Sequence, residues 1–380
     1  MLIGIDASRI TINERTGTEN YAYNVIHYLA KVDKDNQYRL YFQSEPSELF
    51  FNELTAKNPN FTYVVIPWPR LWTQGGLALE LLINPVDVVF ISAHTMPVLR
   101  RPGQKFVVTI HGLEYMYMPQ YERIPDKWYL TKSTEFVSRF ADHIIAVSEF
   151  TKQSLLEHGW GAQEDRITVV PEGVNTGFFY ERDNQEILRV LGKYNITAPY
   201  FFFISTIQPR KNVPGMVEAF AEALPALQKL GDYSLVIAGK SGWKFDAVEK
   251  AMKEEGLEGK VQLIGRIPDE DVPALMSGAR ALVYPSFVEG FGLPALESMA
   301  CGTPCILTDK GAVPEVGGDT AMYVDPYDIM SMSQAMITMA VNDTLHADLS
   351  KQGKMRTAQF TWEKTAKEIV EVFEKTVNEI

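Results

Sequence analysis

Short apolar segments alternate with helical segments along almost the whole chain. Many of the apolar segments are hydrophobic on both faces, which is typical of parallel strands covered by helices on both sides. One helical segment, Glu19–Val32, places Tyr21, Val25, Tyr28 and Leu29 on a single stripe. The alternation predicts doubly wound α/β sheets. Seven strands are expected in the first half and six in the second: Leu2–Ser8, Tyr38–Phe42, Thr62–Ile66, Val86–Ser92, Phe106–His111, His143–Ser148, Ile167–Val170, Tyr200–Ser205, Ser234–Gly239, Val261–Gly265, Ala281–Pro285, Cys305–Thr308 and Ala321–Val324.

The strand pattern is interrupted between Val174 and Pro199. A polar helical segment, Glu181–Lys193, and a turn at Thr197–Pro199 occupy this stretch, which makes it the best candidate for a domain boundary. We therefore expect an N-terminal domain of residues 1–180 and a second domain that begins at residue 181. Ligands of doubly wound sheets bind outside the carboxyl ends of the strands, so functional residues are expected in the loops that follow them.

Composition and charge narrow the class of protein. Of 380 residues, 46% are hydrophobic and 22% are charged, which is the balance of a globular protein. No apolar run is long enough to cross a bilayer, and the first residues resemble a strand rather than a secretion signal, so we expect a cytoplasmic protein. A formal net charge of −12 argues against a nucleic-acid-binding protein. The two cysteines, Cys301 and Cys305, are spaced unlike a redox pair and are too few for a zinc site.

The segment from Ser286 to Pro304 has the most specific pattern. It predicts the end of a strand, a loop with Gly290 and Gly292, and then a helix that Gly302 terminates. A helix N-terminus presents free backbone N–H groups and the positive end of the helix dipole. Such a loop and helix start therefore suit a bound diphosphate.

Two carboxylates flank this loop, Glu289 within it and Glu297 in the helix. Carboxylates accept hydrogen bonds from hydroxyl groups, so the pair suits a ligand with a sugar at one end and a ribose at the other. The alternative is that Glu297 is a solvated helix residue and Glu289 an ordinary loop residue.

The run EGFGLPALE at residues 289–297, followed by MACGTP and by Gly311–Glu315, resembles the donor-site signature of family 4 of the retaining GT-B glycosyltransferases. The resemblance covers essentially the whole chain and is most specific in the second domain. It implies the α/β GT-B fold, in which two doubly wound Rossmann-like domains face a central cleft. Residues 1–180 would form the acceptor-side domain, residues 181–358 the nucleotide-sugar donor domain, and residues 359–380 a helix that crosses back to the first domain.

The resemblance also implies roles for individual residues of this segment. Glu289 would contact hydroxyls of the transferred hexose, and Glu297 would bind the nucleotide ribose. Backbone amides of the loop would contact the sugar and the diphosphate, and they belong to Gly290, Phe291, Gly292 and Leu293.

A cationic pair, Arg210 and Lys211, follows the strand Tyr200–Ser205. Arginine and lysine at the end of a strand can hold a leaving diphosphate and stabilise its developing charge. The resemblance gives this role to Lys211. Many family members also have an arginine where Thr206 stands here, so either Arg210 replaces it or Lys211 acts with help from elsewhere. A solvated pair at the start of a helix is the alternative.

In the first domain, His111 lies at the carboxyl end of an expected strand. The resemblance implies that this histidine lies beside the anomeric carbon and contacts a hexose hydroxyl, whereas a histidine satisfied within the structure is the alternative. His94, which follows the preceding strand, is interpreted as structural. The segment Pro171–Asn175 also resembles a family landmark, although it departs from the frequent Pro-Asn-Gly-Val-Asp, and is interpreted as mainly architectural.

The loop Arg9–Glu19 follows the first strand and contains Gly17 and Thr18. The resemblance implies that this loop closes over the diphosphate and borders the acceptor, which makes both residues candidates for donor binding. An ordinary flexible loop is the alternative.

The expected reaction is transfer of a hexose from a nucleotide-diphosphate sugar, with retention of the anomeric configuration. The sequence offers no obvious carboxylate nucleophile, and the resemblance favours front-face attack by the acceptor hydroxyl with help from the leaving phosphate. We find no Asp-x-Asp pair in a loop of the kind that holds a divalent ion in other sugar transferases, so neither a metal nor another cofactor is expected. The overall resemblance to bacterial mannosyltransferases implies GDP-mannose as the first candidate donor, with UDP-glucose second, and the acceptor would be a glycan or a lipid-linked sugar.

Other classes stay open as alternatives. A sugar-nucleotide epimerase could have the same architecture, and a non-catalytic protein could bind a nucleotide sugar without transfer. An NAD-dependent dehydrogenase is disfavoured because the first loop lacks G-x-G-x-x-G. A peripheral contact with an anionic membrane competes with a solvated helix face as the explanation for Lys127, Trp128, Tyr129, Lys132 and Arg139. Both a monomer and a homodimer are compatible with the sequence.

Overall fold

The structure, a computed structural model, describes residues 1–11, 17–47, 54, 58–118, 124–240, 242 and 246–378. The chain divides into two compact units. Unit 1 comprises Met1–Gly173 and Thr361–Ile380, and unit 2 comprises Val174–Phe360.

Unit 1 is built on a parallel sheet that has seven strands among the described residues, in the order β3-β2-β1-β4-β5-β6-β7. Its strands are β1 (Leu2–Asp6), β2 (Gln37–Phe42), β3 (Phe61–Val65), β4 (Val88–Ile91), β5 (Lys105–Ile110), β6 (His143–Ala146) and β7 (Ile167–Val169). Helices connect them: α1 (Gly17–Val32), α2 (Ala78–Ile83), α3 (Glu114–Tyr117), α4 (Ile124–Phe140) and α5 (Glu149–Glu157). The central strands are buried on both faces, as expected of a sheet covered on both sides.

Unit 2 has the same architecture, with six described strands in the order β10-β9-β8-β11-β12-β13. These strands are β8 (Tyr200–Ile204), β9 (Ser234–Ala238), β10 (Val261–Gly265), β11 (Ala281–Tyr284), β12 (Cys305–Thr308) and β13 (Met322–Val324). Its helices are α6 (Asn184–Tyr194), α7 (Val213–Leu227), α8 (Asp246–Glu254), α9 (Val272–Ser277), α10 (Leu293–Ala300), α11 (Val313–Gly317), α12 (Ile329–Val341) and α13 (Asp343–Thr357). Strands β8 and β11 are neighbours in this sheet, with Ala281 opposite Phe201.

All thirteen strands expected from the sequence are confirmed, and their ends differ from the prediction by two residues at most. Two of the expected helices begin at different residues from those predicted. Helix α1 begins two residues earlier than expected, at Gly17, and Tyr28 is only half-buried. Its buried face instead includes Ala22, Ile26 and Ala30, because a helix that packs on a sheet buries a broad stripe rather than a narrow seam.

The helix expected over Glu181–Lys193 begins at Asn184. The reason is local, since the side chain of Asp183 accepts a hydrogen bond from the Glu186 amide and caps the helix there. The last helix, α14 (Trp362–Asn378), belongs to unit 1 and packs against α1. Its buried face includes Trp362, Ile369 and Phe373.

Candidate functional site

The glycine-rich segment of unit 2 has the predicted strand–loop–helix structure. After β11, Gly292 adopts a φ of 117°, a left-handed conformation that favours glycine, and α10 begins at the next residue with Pro294 in its first turn. The loop after β12, which contains Gly311 and Ala312, holds this one in place. The Ala312 amide donates a hydrogen bond of 3.0 Å to the Glu289 carbonyl, and a Cβ on Gly311 would come within 2.9 Å of the Glu289 backbone.

Three charged side chains meet beside this loop. Lys211 Nζ donates to Glu289 Oε1 at 2.5 Å, and an Arg210 guanidinium nitrogen donates to the other carboxylate oxygen at 2.5 Å. The side chains of Glu289 and Lys211 are 7% and 5% exposed, while Arg210 is 25% exposed. The cationic residues follow β8 and the carboxylate follows β11, so the pairing of these two strands brings the groups together.

Tyr284, which the sequence analysis missed, completes this cluster. Its hydroxyl accepts a hydrogen bond from Lys211 Nζ at 2.6 Å and donates one to Glu289 Oε1 at 3.1 Å. Tyr284 is the last residue of β11 and is buried. Because ligands of this fold bind at the carboxyl ends of strands, its position was a usable signal.

The cluster carries more positive than negative charge. Burial alone would raise the pKa of Glu289, but the positive charges of Arg210 and Lys211 lower it to about 2. Burial and the charge of Glu289 raise the pKa of the Tyr284 hydroxyl, which therefore stays protonated. Two cations and one carboxylate leave an excess of positive charge, which favours an anionic ligand such as a diphosphate.

The other expected residues of unit 2 follow Glu289 in the chain. Gly290, Phe291, Gly292 and Leu293 continue the chain from Glu289, and Phe291 is buried. Glu297 lies further along α10 and is half-buried. The structure therefore brings Arg210 and Lys211 to the predicted glycine loop.

Expected residues of unit 1 lie at the carboxyl ends of its strands. His111 follows β5, and both of its ring nitrogens have protein partners: Nδ1 lies 3.0 Å from Glu172 Oε1 and Nε2 lies 2.8 Å from the Ser92 carbonyl oxygen. In this conformation both ring nitrogens are already bonded to protein atoms, and the predicted contact with a hexose hydroxyl stays a prediction. Glu172, interpreted from the sequence as architectural, is buried and faces the histidine directly.

Gly17 and Thr18 form the start of α1 in unit 1. The Thr18 hydroxyl donates to Glu19 Oε1 at 3.2 Å, and the same oxygen pairs with Arg9 at 3.2 Å. The preceding part of the expected loop, residues 12–16, lies outside the described residues.

The chain does contain two Asp-x-Asp triplets, Asp33–Asp35 and Asp269–Asp271. Their buried carboxylates have protein partners, because Asp33 accepts from Asn36 and Tyr38, and Asp271 accepts from Lys193 and Tyr194. Within the described ranges, no three His, Cys, Asp or Glu side chains form a group suited to a metal ion. In the same part of the chain, no helix combines the length and apolar character needed to span a bilayer.

Two doubly wound parallel-sheet units are the architecture of the GT-B glycosyltransferases. Comparison with known families agrees with this class. Residues 184–356 match the family described as glycosyl transferases group 1, and residues 15–178 match glycosyltransferase family 4. The chain belongs to the group 1 glycosyltransferases and is a transferase.

Several relatives are mannosyltransferases. O-antigen chain mannosyltransferase B of Escherichia coli is 31% identical over 271 residues, which cover 71% of this chain and 70% of that protein. O-antigen chain mannosyltransferase RfbU of Salmonella typhimurium is 27% identical over 265 residues, covering 68% and 67% of the two chains. The match to the serotype-specific mannosyltransferase WbdA of Escherichia coli is 28% identical and spans only 30% of that longer protein.

Solved structures share the fold at low sequence identity. Sucrose-phosphate synthase from Thermosynechococcus elongatus superposes with a TM-score of 0.75 at 18% identity, over 98% of each chain. HepE from Anabaena, solved with UDP and glucose, superposes with a TM-score of 0.74 at 15% identity, over 98% of this chain and 99% of that one.

Proposed function

We propose that the chain is a retaining, metal-independent hexosyltransferase that transfers mannose from GDP-mannose to a hydroxyl of a glycan or lipid-linked sugar, with UDP-glucose as the second candidate donor. The observation that carries the proposal is the cluster of buried Lys211 and Glu289 with half-buried Arg210, beside the N-terminus of α10. A diphosphate bound there would meet two cations and the positive end of a helix dipole.

The chemistry follows from the charges of this cluster. The acceptor hydroxyl oxygen would bond to the anomeric carbon on the face from which the phosphate oxygen departs, and the departing phosphate would take the hydroxyl proton. Lys211 and Arg210 would stabilise the negative charge that develops on the diphosphate. Glu289 is a poor base, because its pKa is about 2. As an ionised carboxylate, whose oxygens can each accept more than one hydrogen bond, it would instead accept hydrogen bonds from hexose hydroxyls.

The choice of mannose is supported by the names of the relatives, several of which are mannosyltransferases. The choice of glucose is supported by HepE, whose solved structure contains UDP and glucose. A thermal-shift panel of GDP, UDP and ADP distinguishes the two, because a ligand that binds the folded state raises the unfolding temperature. Stabilisation by UDP alone would exclude GDP-mannose as the donor.

Transfer itself needs a separate assay, because an epimerase and a binding protein would also bind the nucleotide. The chain is incubated with donor alone and with donor plus acceptor, and the products are analysed by NMR. A new glycoside that keeps the donor's anomeric configuration supports the proposal. A new sugar nucleotide formed from donor alone indicates an epimerase, and inversion of the anomeric centre excludes the retaining mechanism.

A lipid-linked acceptor is supported by an exposed aromatic surface on α4. Trp128 and Tyr129 are 64% and 48% exposed, and Val98 and Leu99 in the adjacent segment are 62% and 63% exposed. Tyr129 and Ser133 of α4 donate hydrogen bonds to Thr95, which holds this segment against the helix. Aromatic residues with nearby cations suit the interface of an anionic membrane. Co-sedimentation with phosphatidylglycerol vesicles should be lost in Trp128→Ala, and equal binding by the variant would exclude this surface.

A further inference from the structure

The His111 ring is held by both of its nitrogen atoms. A carbonyl oxygen can only accept a hydrogen bond, so Nε2, which lies 2.8 Å from the Ser92 carbonyl oxygen, carries a hydrogen. Nδ1 lies 3.0 Å from Glu172 Oε1. With a partner at each nitrogen, the ring can neither rotate nor flip without losing both hydrogen bonds.

The residue that holds Nδ1 is itself fixed. Glu172 is 5% exposed, and burying a carboxylate is unfavourable unless the group makes specific interactions. The Thr365 hydroxyl of α14 donates to the Pro171 carbonyl at 2.8 Å. A Cβ on Gly173 would lie 2.2 Å from the Trp362 amide nitrogen, so the loop fits closely against the start of α14.

Two other rings lie close to His111, and neither carries a charge. Tyr21 contacts the ring edge-on, with centroids 4.6 Å apart, and its hydroxyl is paired with Thr109. The His94 ring lies 6.0 Å away, and burial lowers the pKa of His94 to about 3, so it is a neutral neighbour. Unlike these two neighbours, Glu172 carries a carboxylate that contacts the His111 ring directly.

We propose that Glu172 is a positioning residue, which together with the Ser92 carbonyl fixes the plane of the His111 imidazole before substrates bind. His111, Ser92 and Glu172 follow β5, β4 and β7, so all three lie at the edge of the unit 1 sheet where ligands of this fold bind. Only the expected effect of Glu172 on turnover rests on the proposed transferase function. The held ring itself is a property of the protein without substrates.

The first test is therefore spectroscopic. The chain has six histidines, so selective labelling with ¹⁵N-histidine gives few signals, and the His111→Asn variant assigns the ring signal. The wild type should show a slowly exchanging Nε2–H signal from His111. Glu172→Leu should lose it, whereas Glu172→Gln, whose amide can bond either form of Nδ1, should retain it. An unchanged signal in Glu172→Leu would overturn the proposal even if the enzyme proved to have another activity.

The second test is kinetic. Glu172→Leu should lower kcat by about 10- to 100-fold with little change in the donor KM, because a misplaced group near the reacting atoms costs rate rather than affinity. Glu172→Gln should restore kcat to within about threefold of the wild type, since orientation is retained. Glu164→Leu, at an exposed carboxylate of the same unit, is the matched control and should be unaffected. A Gln variant as slow as the Leu variant, or a Leu variant as fast as the wild type, would refute the role of Glu172.

Discussion

Replacing Glu289 by glutamine tests the electrostatics of the candidate donor site most directly. The substitution keeps the shape of the side chain and removes the charge that neutralises Lys211 and Arg210. The pKa of Glu289 falls from an ordinary 4.5 to about 2, which corresponds to about 3 kcal/mol of stability in the folded state. Glu289→Gln should therefore destabilise unit 2 by about this amount at neutral pH.

The contribution of Glu289 to folding stability should decrease at low pH, because folding lowers its pKa. A carboxylate whose pKa is lowered by folding contributes its full stability above pH 4.5 and loses it as the pH falls towards 2. About 2 kcal/mol of the Glu289 contribution should disappear between pH 7 and pH 3. The difference between the wild type and Glu289→Gln should narrow over the same range.

Urea unfolding followed by hydrogen-exchange mass spectrometry measures this difference, because peptides from β8 and β11 report on unit 2 alone. Asp271→Asn is the matched control for function. Asp271 is also a buried carboxylate, held by Lys193 at 2.5 Å and by Tyr194 at 2.6 Å, but its partners come from α6. Both variants should lose stability, whereas only Glu289→Gln should lose about 100-fold in turnover. Equal stability of Glu289→Gln and the wild type at pH 7 would refute the electrostatic argument.

Three further predictions concern the same site. Lys211→Ala should lower turnover by at least about 100-fold, because it removes a buried cation from the leaving diphosphate, and near-normal steady-state rates would remove Lys211 from the site. Tyr284→Phe should have a smaller effect, about 10-fold in turnover, because Lys211 keeps its bond to Glu289 when the tyrosine hydroxyl is lost. Pre-steady-state rates equal to those of Lys211→Ala would contradict this ranking. Activity should survive excess EDTA, and its loss with recovery on adding Mg²⁺ or Mn²⁺ would show that the reaction requires a metal.

Local pattern was enough to predict much of the fold. The run of Tyr200–Ile204 is apolar on both faces, and Gly292 followed by Pro294 has the local pattern of a helix start. Strands and helix ends depend on residues a few positions apart, so the sequence determined the thirteen strands, the glycine loop and the start of α10.

Contacts between distant residues were decided by the tertiary structure. Lys211 and Glu289 are 78 positions apart, and they meet because β8 lies beside β11 in the sheet. His111 and Glu172 are 61 positions apart, and their contact depends on how the loop after β7 fits against α14. Strand order and loop packing are set by the whole core, which is why the sequence alone could propose Lys211, Glu289 and His111 singly but could not predict their partners.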